Sequence, residues 1–319
     1  MQDRLGREID YIRISITDRC NLRCGYCMPE CGVPSVPHDM ILSFDEIVRL
    51  VKIFCSLGIK NVKITGGEPL VRKGVVDLIK EIKAIDGIKK VSMTTNGILL
   101  SEKLEALAKA GLDGVNVSLD TLERHKYLRI TGFDGLDTVL KAIDECRAYP
   151  EIKVKINAVT LADYNRGEIC ALADFAADKG VDLRFIEMMP IGLGMEFDGY
   201  SQDEIMVVLE EAYGPAKTIN EKLGSGPAQY YGFEGFKGRI GFISPMSNKF
   251  CGSCNRIRLT SEGLLRPCLG SDGGIDLRKP MREGTSDDEL VLIIREGIKN
   301  KPAGHCFSAT DSLMSKIGG

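Results

Sequence analysis

Between residues 11 and 187 the chain repeats one pattern: six short β-branched or apolar runs alternate with five amphipathic helical stretches. The predicted strands are 11–17, 61–65, 90–95, 114–119, 153–160 and 182–187, and the predicted helices are 43–57, 73–85, 101–110, 135–149 and 166–179. Local signals support these bounds. Ser43, with Glu46 three residues on, makes a capping box. Gly58, Gly111 and Gly180 stand where a left-handed residue ends a helix. Strands alternating with helices of this length form βαβ units and a parallel sheet. An apolar run such as 115–117 suits a strand covered on both faces. Six units are too few for a closed eight-fold barrel, so pattern alone leaves an open doubly wound sheet and a partial barrel. In either, functional residues collect at the C-terminal ends of the strands.

After residue 190 the pattern changes. Residues 190–200 hold three glycines and read as a linker, followed by a helix at 202–212. Short strand-like pieces at 229–233, 239–242 and 256–260 suggest a smaller α+β region, closed by a late helix at 287–299 and a flexible tail at 317–319. The expected division is therefore 1–190 and 191–319.

Eleven cysteines cannot all pair. The first ten residues are charged where a signal peptide carries an apolar core, and no run approaches a membrane-spanning length. The expectation is a cytoplasmic protein, where grouped cysteines hold metal or do chemistry rather than form disulfides. A net charge of −3, with no strongly basic stretch, argues against a broad nucleic-acid footprint but not against a small anion. Cys55, Cys146 and Cys170 fall in helical patterns and read as packing residues, and His38, His125 and His305 as surface or satisfied ones.

The informative cysteines come in two groups. Cys20-x3-Cys24-x2-Cys27 directly follows the first strand, and Thr65-Gly66-Gly67-Glu68-Pro69 begins at the end of the second. Thiolates at this spacing converge on one centre, and soft sulfur selects zinc, copper(I) or iron–sulfur. A closed zinc site wants four ligands, and Cys31 stands near enough in sequence to be the fourth. Together with Tyr26, the two motifs resemble the radical S-adenosylmethionine (SAM) superfamily. That resemblance implies a [4Fe–4S] cluster on Cys20, Cys24 and Cys27, an open iron that chelates SAM, and a loop role for Cys31.

The second group is Cys251-x2-Cys254-x13-Cys268, with Cys306 available to complete a zinc site. Both triads, with Gly318-Gly319 at the end, resemble the GTP 3′,8-cyclase family of molybdenum cofactor biosynthesis over essentially the whole chain. The resemblance implies an incomplete (βα)6 TIM-type barrel whose open side is closed by a C-terminal region carrying a second [4Fe–4S] cluster on Cys251, Cys254 and Cys268. It implies SAM contacts at Tyr26, Gly67, Ser118 and Met189. It implies GTP contacts at Arg13, Lys63, Thr94, Lys155, Arg184 and the stretch Arg256, Ile257 and Arg258. It also implies entry of Gly318 and Gly319 into the active site, an external electron donor, a homodimer, and delivery of product to cyclic pyranopterin monophosphate synthase.

The residues speak for part of this by themselves. A triphosphate needs several cations, and the fork of arginine suits it best. Arg13, Lys155, Arg184 and Arg258 lie in or beside apolar strands, where an unpaired charge is costly. Lys63 stands where many family members carry arginine; it keeps the charge and loses the fork. Two rival readings are another radical SAM enzyme with an auxiliary cluster, acting on peptides, and a non-enzymatic zinc or iron–sulfur module.

Overall fold

All six predicted strands form, within two residues of their expected ends: Tyr11–Ser15 (β1), Asn61–Thr65 (β2), Lys90–Thr95 (β3), Gly114–Ser118 (β4), Lys153–Val159 (β5) and Asp182–Ile186 (β6). The computed structural model describes residues 1–34, 36–221, 223–271, 273–305, 307 and 313–318, with only the backbone of Lys316. Cys306 and Gly319 lie outside the described residues. Helices Phe44–Ser56 (α1), Val75–Lys83 (α2), Leu100–Lys109 (α3), Arg124–Thr131 (α4), Leu136–Glu145 (α5), the single turn Ala162–Asn165 (α6) and Ile169–Lys179 (α7) fill the connections. Ser43 caps α1 reciprocally with Glu46, and Gly58, Gly111 and Gly180 all take positive φ.

Pleating explains why these strands serve a cavity. Ile12, Ile14, Ile64, Val91, Met93, Val115, Val117, Ile156 and Leu183 point outward and are buried in the main hydrophobic core. Their neighbours Arg13, Lys63, Ser92, Asn116, Lys155 and Arg184 point the other way and line one cavity. A sheet whose β1 and β6 face the same cavity must curl around it. The stretch 115–117 is thus not apolar on both faces, because Asn116 looks inward.

The sheet runs further than the six-unit pattern. Its order is β12-β11-β10-β1-β2-β3-β4-β5-β6-β9-β8-β7, with Lys217–Ile219 (β7), Gln229–Gly232 (β8), Ile240–Ile243 (β9), Arg256–Leu259 (β10), Leu264–Arg266 (β11) and Ile275–Asp276 (β12). Strand β10 joins β1 in parallel and β9 joins β6 in parallel, so the C-terminal region extends both edges of the partial barrel. The remaining helices are Gln202–Tyr213 (α8), Arg278–Arg282 (α9), Asp287–Lys299 (α10) and Met314–Ile317 (α11).

Two expectations need correction. Residues 190–200 are packed rather than a free linker: Ile191 and Tyr200 are buried, and the Tyr200 hydroxyl donates to Asn165 Oδ1 at 3.0 Å. The presumed flexible end is also packed as far as Gly318. Ile317 is buried, and Gly318 sits so close to the ends of β1 and β2 that a Cβ there would lie 2.8 Å from Thr65 Oγ1. Small size, not mobility, accounts for glycine at 318.

Candidate active site

The cysteine loop is shaped by backbone contacts before any thiol is considered. Cys27 N–H and Met28 N–H both donate to the Cys24 carbonyl (2.9 and 3.0 Å), so Cys24 and Cys27 share one turn. The loop then leans on α4, which the sequence pattern missed: Arg23 N–H donates to Thr131 O and Gly25 N–H to Ile130 O. Arg23 Nη1 reaches back to the Cys20 carbonyl at 2.7 Å. From the other side Gly67 N–H donates to Thr17 O (2.7 Å) and Glu68 N–H to Arg19 O (2.8 Å). A Cβ on Gly67 would stand 2.4 Å from Arg19 O, and one on Gly66 2.7 Å from Thr17 O. The double glycine lets the end of β2 lie flat against the cysteine loop.

Cys20, Cys24 and Cys27 all open on the cavity. Burial pushes each thiol upward, Cys27 to about 12, and the neighbouring thiols add to the shift of Cys24 and Cys27. Three such groups ionise together only against a positive centre. Cys31 is exposed, and its thiol lies 3.6 Å from the Gly32 carbonyl, away from that cavity.

Next to this triad Tyr26, Gly67, Ser118 and Met189 line the same wall. The Tyr26 hydroxyl donates to Asp120 Oδ2 at 2.7 Å, and its ring meets Phe197 edge-on at 6.3 Å. Burial raises Asp120 to about 6 and Glu68 to about 7. Glu68 nonetheless accepts from Thr95 Oγ1, Asn96 N–H and Leu70 N–H, so it ties the rim of β2 to that of β3. Asp120 and Asn96 are contributors that the sequence reading did not single out; their positions just past β4 and β3 were the available signal.

The rear cysteines sit at the other end. Cys251 and Cys254 precede β10, which runs parallel to β1 with Arg256 beside Tyr11, and Cys268 follows the antiparallel β11. They therefore lie toward the N-terminal ends of the strands, while the front triad lies past the C-terminal end of β1. The four steps from Tyr11 to Ser15 alone span roughly 13 Å. The expectation that all function gathers on the C-terminal rim is corrected: the site runs through the barrel. Both triads line one cavity of about 1150 Å3, just above the roughly 300–1,000 Å3 typical of a single ligand site.

Between the triads the walls are cationic. Register places Arg258, Arg13 and Lys63 side by side, and Lys155 opposite Asn116 and Asp182. Burial, then the neighbouring arginines, pulls Lys63 and Arg258 well below their usual ranges. Arg184 is buried, and its Nε and Nη2 have no hydrogen-bond partner. Arg258 Nη1 donates to the Gly318 carbonyl. Lys155 is already balanced, with Asp182 Oδ2 and the Tyr230 hydroxyl each at 2.8 Å. Thr94 also faces the cavity, but Ile257 does not: its side chain points to the opposite face and is buried in the core. In the rear triad burial pushes Cys254 up, yet Arg256 and Lys301 outweigh it and bring the thiol down to about 7. No histidine is near these cysteines in sequence until His305, and folding sets its Nδ1 3.1 Å from Cys251 Sγ.

Comparison with known proteins agrees with this layout. Residues 14–176 match the radical SAM superfamily and residues 181–307 match Molybdenum Cofactor Synthesis C. The GTP 3′,8-cyclase of Clostridium perfringens (strain 13 / Type A) is 48% identical over 327 residues, covering 100% of each chain. That of Moorella thermoacetica is 43% identical, again over 100% of each. Molybdenum cofactor biosynthesis protein 1 of Dictyostelium discoideum is 45% identical over 96% of this chain and 49% of its own. Among solved structures, Streptococcus suis SuiB bound to S-adenosylmethionine covers 94% of this chain and 73% of its own, with TM-score 0.64 and 18% identity, a likeness of fold. At such identity over its whole length, the chain belongs to the GTP 3′,8-cyclase family of the radical SAM superfamily.

Proposed function

We propose that this chain is a GTP 3′,8-cyclase that binds SAM against the front triad and GTP between the two triads, forming (8S)-3′,8-cyclo-7,8-dihydro-GTP in the first step of molybdenum cofactor biosynthesis. The observation that carries the reading is the cavity itself, with a cysteine triad at each end and buried cations between. The residue types suit the family's two [4Fe–4S] clusters, since each triad contributes three cysteines to the lining of one cavity. Cys20, Cys24 and Cys27 would hold the front cluster, which would supply the electron for reductive cleavage of SAM.

The chain's own residues position and shield. Tyr26, held by Asp120, and the backbone at Gly67 shape the SAM wall, with Ser118 and Met189 alongside. Arg13, Lys63, Arg184, Arg256 and Arg258 grip the triphosphate, and Thr94 lines the nucleotide's path. Lys155 joins them by exchanging Asp182 for phosphate. The reaction takes hydrogen from ribose C3′ and joins C3′ to C8, so the two atoms must be held in contact; such positioning is worth several kcal/mol of barrier, up to about 11. The Gly318 carbonyl on Arg258 carries the C-terminal segment to the same place. On this reading 1–190 generates the radical and 191–319 presents the substrate. An external donor supplies electrons, cyclic pyranopterin monophosphate synthase takes the product, and the enzyme works as a cytoplasmic homodimer; family membership supports these assignments. Among the described residues, no helix is long and apolar enough to cross a membrane.

The test is anaerobic incubation of reconstituted protein with reductant, SAM and each nucleoside triphosphate in turn. GTP must yield 5′-deoxyadenosine and a cyclised product, and ATP little of either. Equal turnover with every nucleotide, or none with any, refutes the proposal. A peptide substrate would leave the buried cations without a purpose.

A further inference from the structure

The rear triad is carried by two separate segments, the turn 251–254 and the residues after β11, and the structure shows what ties them together. Lys301 follows α10 and is only 5% exposed. Its Nζ donates to the Arg256 carbonyl at 2.9 Å and to the Pro267 carbonyl at 2.5 Å. Arg256 lies two residues after Cys254, and Pro267 immediately precedes Cys268. One ammonium therefore bridges both segments. The other end of the 251–254 turn is held by Arg7, whose Nη1 donates to the Cys251 carbonyl at 2.9 Å while Nη2 donates to the carbonyls of Lys301 (3.0 Å) and Pro302 (2.8 Å). Arg7 is itself fixed by the buried Asp3 carboxylate at 2.6 Å.

The charge of Lys301 needs an anion. Among the described residues it forms no ion pair with a carboxylate, and a buried ammonium held largely by carbonyls is expensive. Its two acceptors lie within two residues of Cys254 and Cys268, so the ammonium is fixed beside both ends of the triad. We infer that Lys301 is a positioning residue of the rear triad, clamping the 251–254 turn and the Cys268 segment together and setting a fixed positive charge beside them, with Arg7 locking the Cys251 end of the turn to the same point. The inference rests on the reading that this triad holds a four-iron cluster. Such a cluster on three thiolates is negatively charged and becomes more so on reduction, so a fixed cation beside it raises its reduction potential. Charged and hydrogen-bonding groups just outside a metal's ligands also govern how firmly it is held.

The experiment uses the full-length chain with Cys20→Ala, Cys24→Ala and Cys27→Ala, reconstituted anaerobically with iron and sulfide so that only the rear site loads. Lys301→Gln on this background is expected to lower the cluster's midpoint potential and to release iron to a chelator about 10- to 100-fold faster. Lys301→Arg, which keeps the charge, is expected to restore the potential. Thermal melting checks that each variant folds. Should Lys301→Gln not fold, Arg7→Lys replaces it: a lysine cannot span the three carbonyls, so faster iron release is again expected. A parent chain that takes up no cluster overturns the cofactor reading and the inference with it. A loaded parent whose potential and release rate Lys301→Gln leaves unchanged, or an unchanged release rate in Arg7→Lys, overturns the inference alone.

Discussion

Replacing Arg184 by methionine separates the demands of binding from those of folding. Arg184 is 7% exposed, with Nε and Nη2 unsatisfied, so the free protein carries a buried polar group at a cost of about 1–3 kcal/mol. Methionine has a similar reach and no donors, so the change relieves that cost. Unfolding entropy of ~2.1 cal/mol/K per residue over 319 residues means 1 kcal/mol moves Tm by roughly 1.5 °C. The unliganded variant is therefore expected to melt about 1.5–4.5 °C higher. Its GTP affinity falls, because a hydrogen bond to a charged group contributes about 1.5–3 kcal/mol, or roughly 10- to 150-fold in Kd. Differential scanning fluorimetry gives the first number and equilibrium dialysis of GTP against the reconstituted protein gives the second. SAM binding, at the far end of the cavity, should be unchanged. A lower Tm together with an unaltered Kd for GTP would show that Arg184 supports the fold and not the ligand, and the cation argument would fail for it.

Three further outcomes follow from the same geometry. Gly67→Ala sets a methyl within 2.4 Å of Arg19 O, so the cysteine loop must move; overpacking of this kind costs about 1–3 kcal/mol, and iron content should fall to that of the rear site, full loading being the contrary result. Glu68 has a folded value of about 7 against an ordinary 4.5, so the folded chain holds that proton more tightly than the unfolded one. Its contribution is intact below about pH 4.5 and is lost as pH rises through 7. Glu68→Gln should flatten this fall in urea titrations of cluster-free protein between pH 4.5 and 7, and an unchanged slope contradicts the assignment. Removing Gly318 and Gly319 takes a carbonyl from Arg258 and should abolish cyclisation while sparing SAM binding, whereas full cyclisation by the truncated chain sinks the role given to the tail.

Much of this site was legible because its chemistry sits beside periodic elements. Cys20, Cys24, Cys27 and Gly67 directly follow strands whose apolar alternation is strong, so motif and position reinforced one another. Arg13, Lys155, Arg184 and Arg258 were legible as cations in or beside apolar runs, and Lys63 only through the family resemblance. The failures have physical causes. Helix α4 is polar on most of its surface and buries only Tyr127, Ile130 and Thr131, too little for a clear helical stripe, although it carries the cysteine loop. Strands β9 and β10 are four residues long, so nothing in their pattern reveals that they join β6 and β1 from opposite ends of the chain. In the stretch 256–258 the motif could not tell side chains apart: pleating turns Arg256 and Arg258 to the cavity and the Ile257 side chain to the core. His305 and Lys301 reach the rear cysteines only through tertiary folding, so no spacing rule could find them.

The joining of β10 to β1 also explains why two triads far apart in sequence can serve one reaction. Parallel pairing sets the N-terminal end of β10, and with it Cys254, at the bottom of the barrel, while β1 delivers Cys20 to the top. An antiparallel β10 would have brought both triads to the same rim, leaving no column between them for a nucleotide. Arg13 and Arg258 are direct neighbours in this pairing, so the row of charge proposed to grip the triphosphate is fixed by the same register that separates the triads. A one-residue slip would turn Arg256 and Arg258 outward and Ile257 inward. It would remove cations from the cavity and bury them in the core at once. Register, cation placement and triad separation are therefore one constraint, and a variant that disturbs any of them should lose GTP binding and rear-cluster retention together.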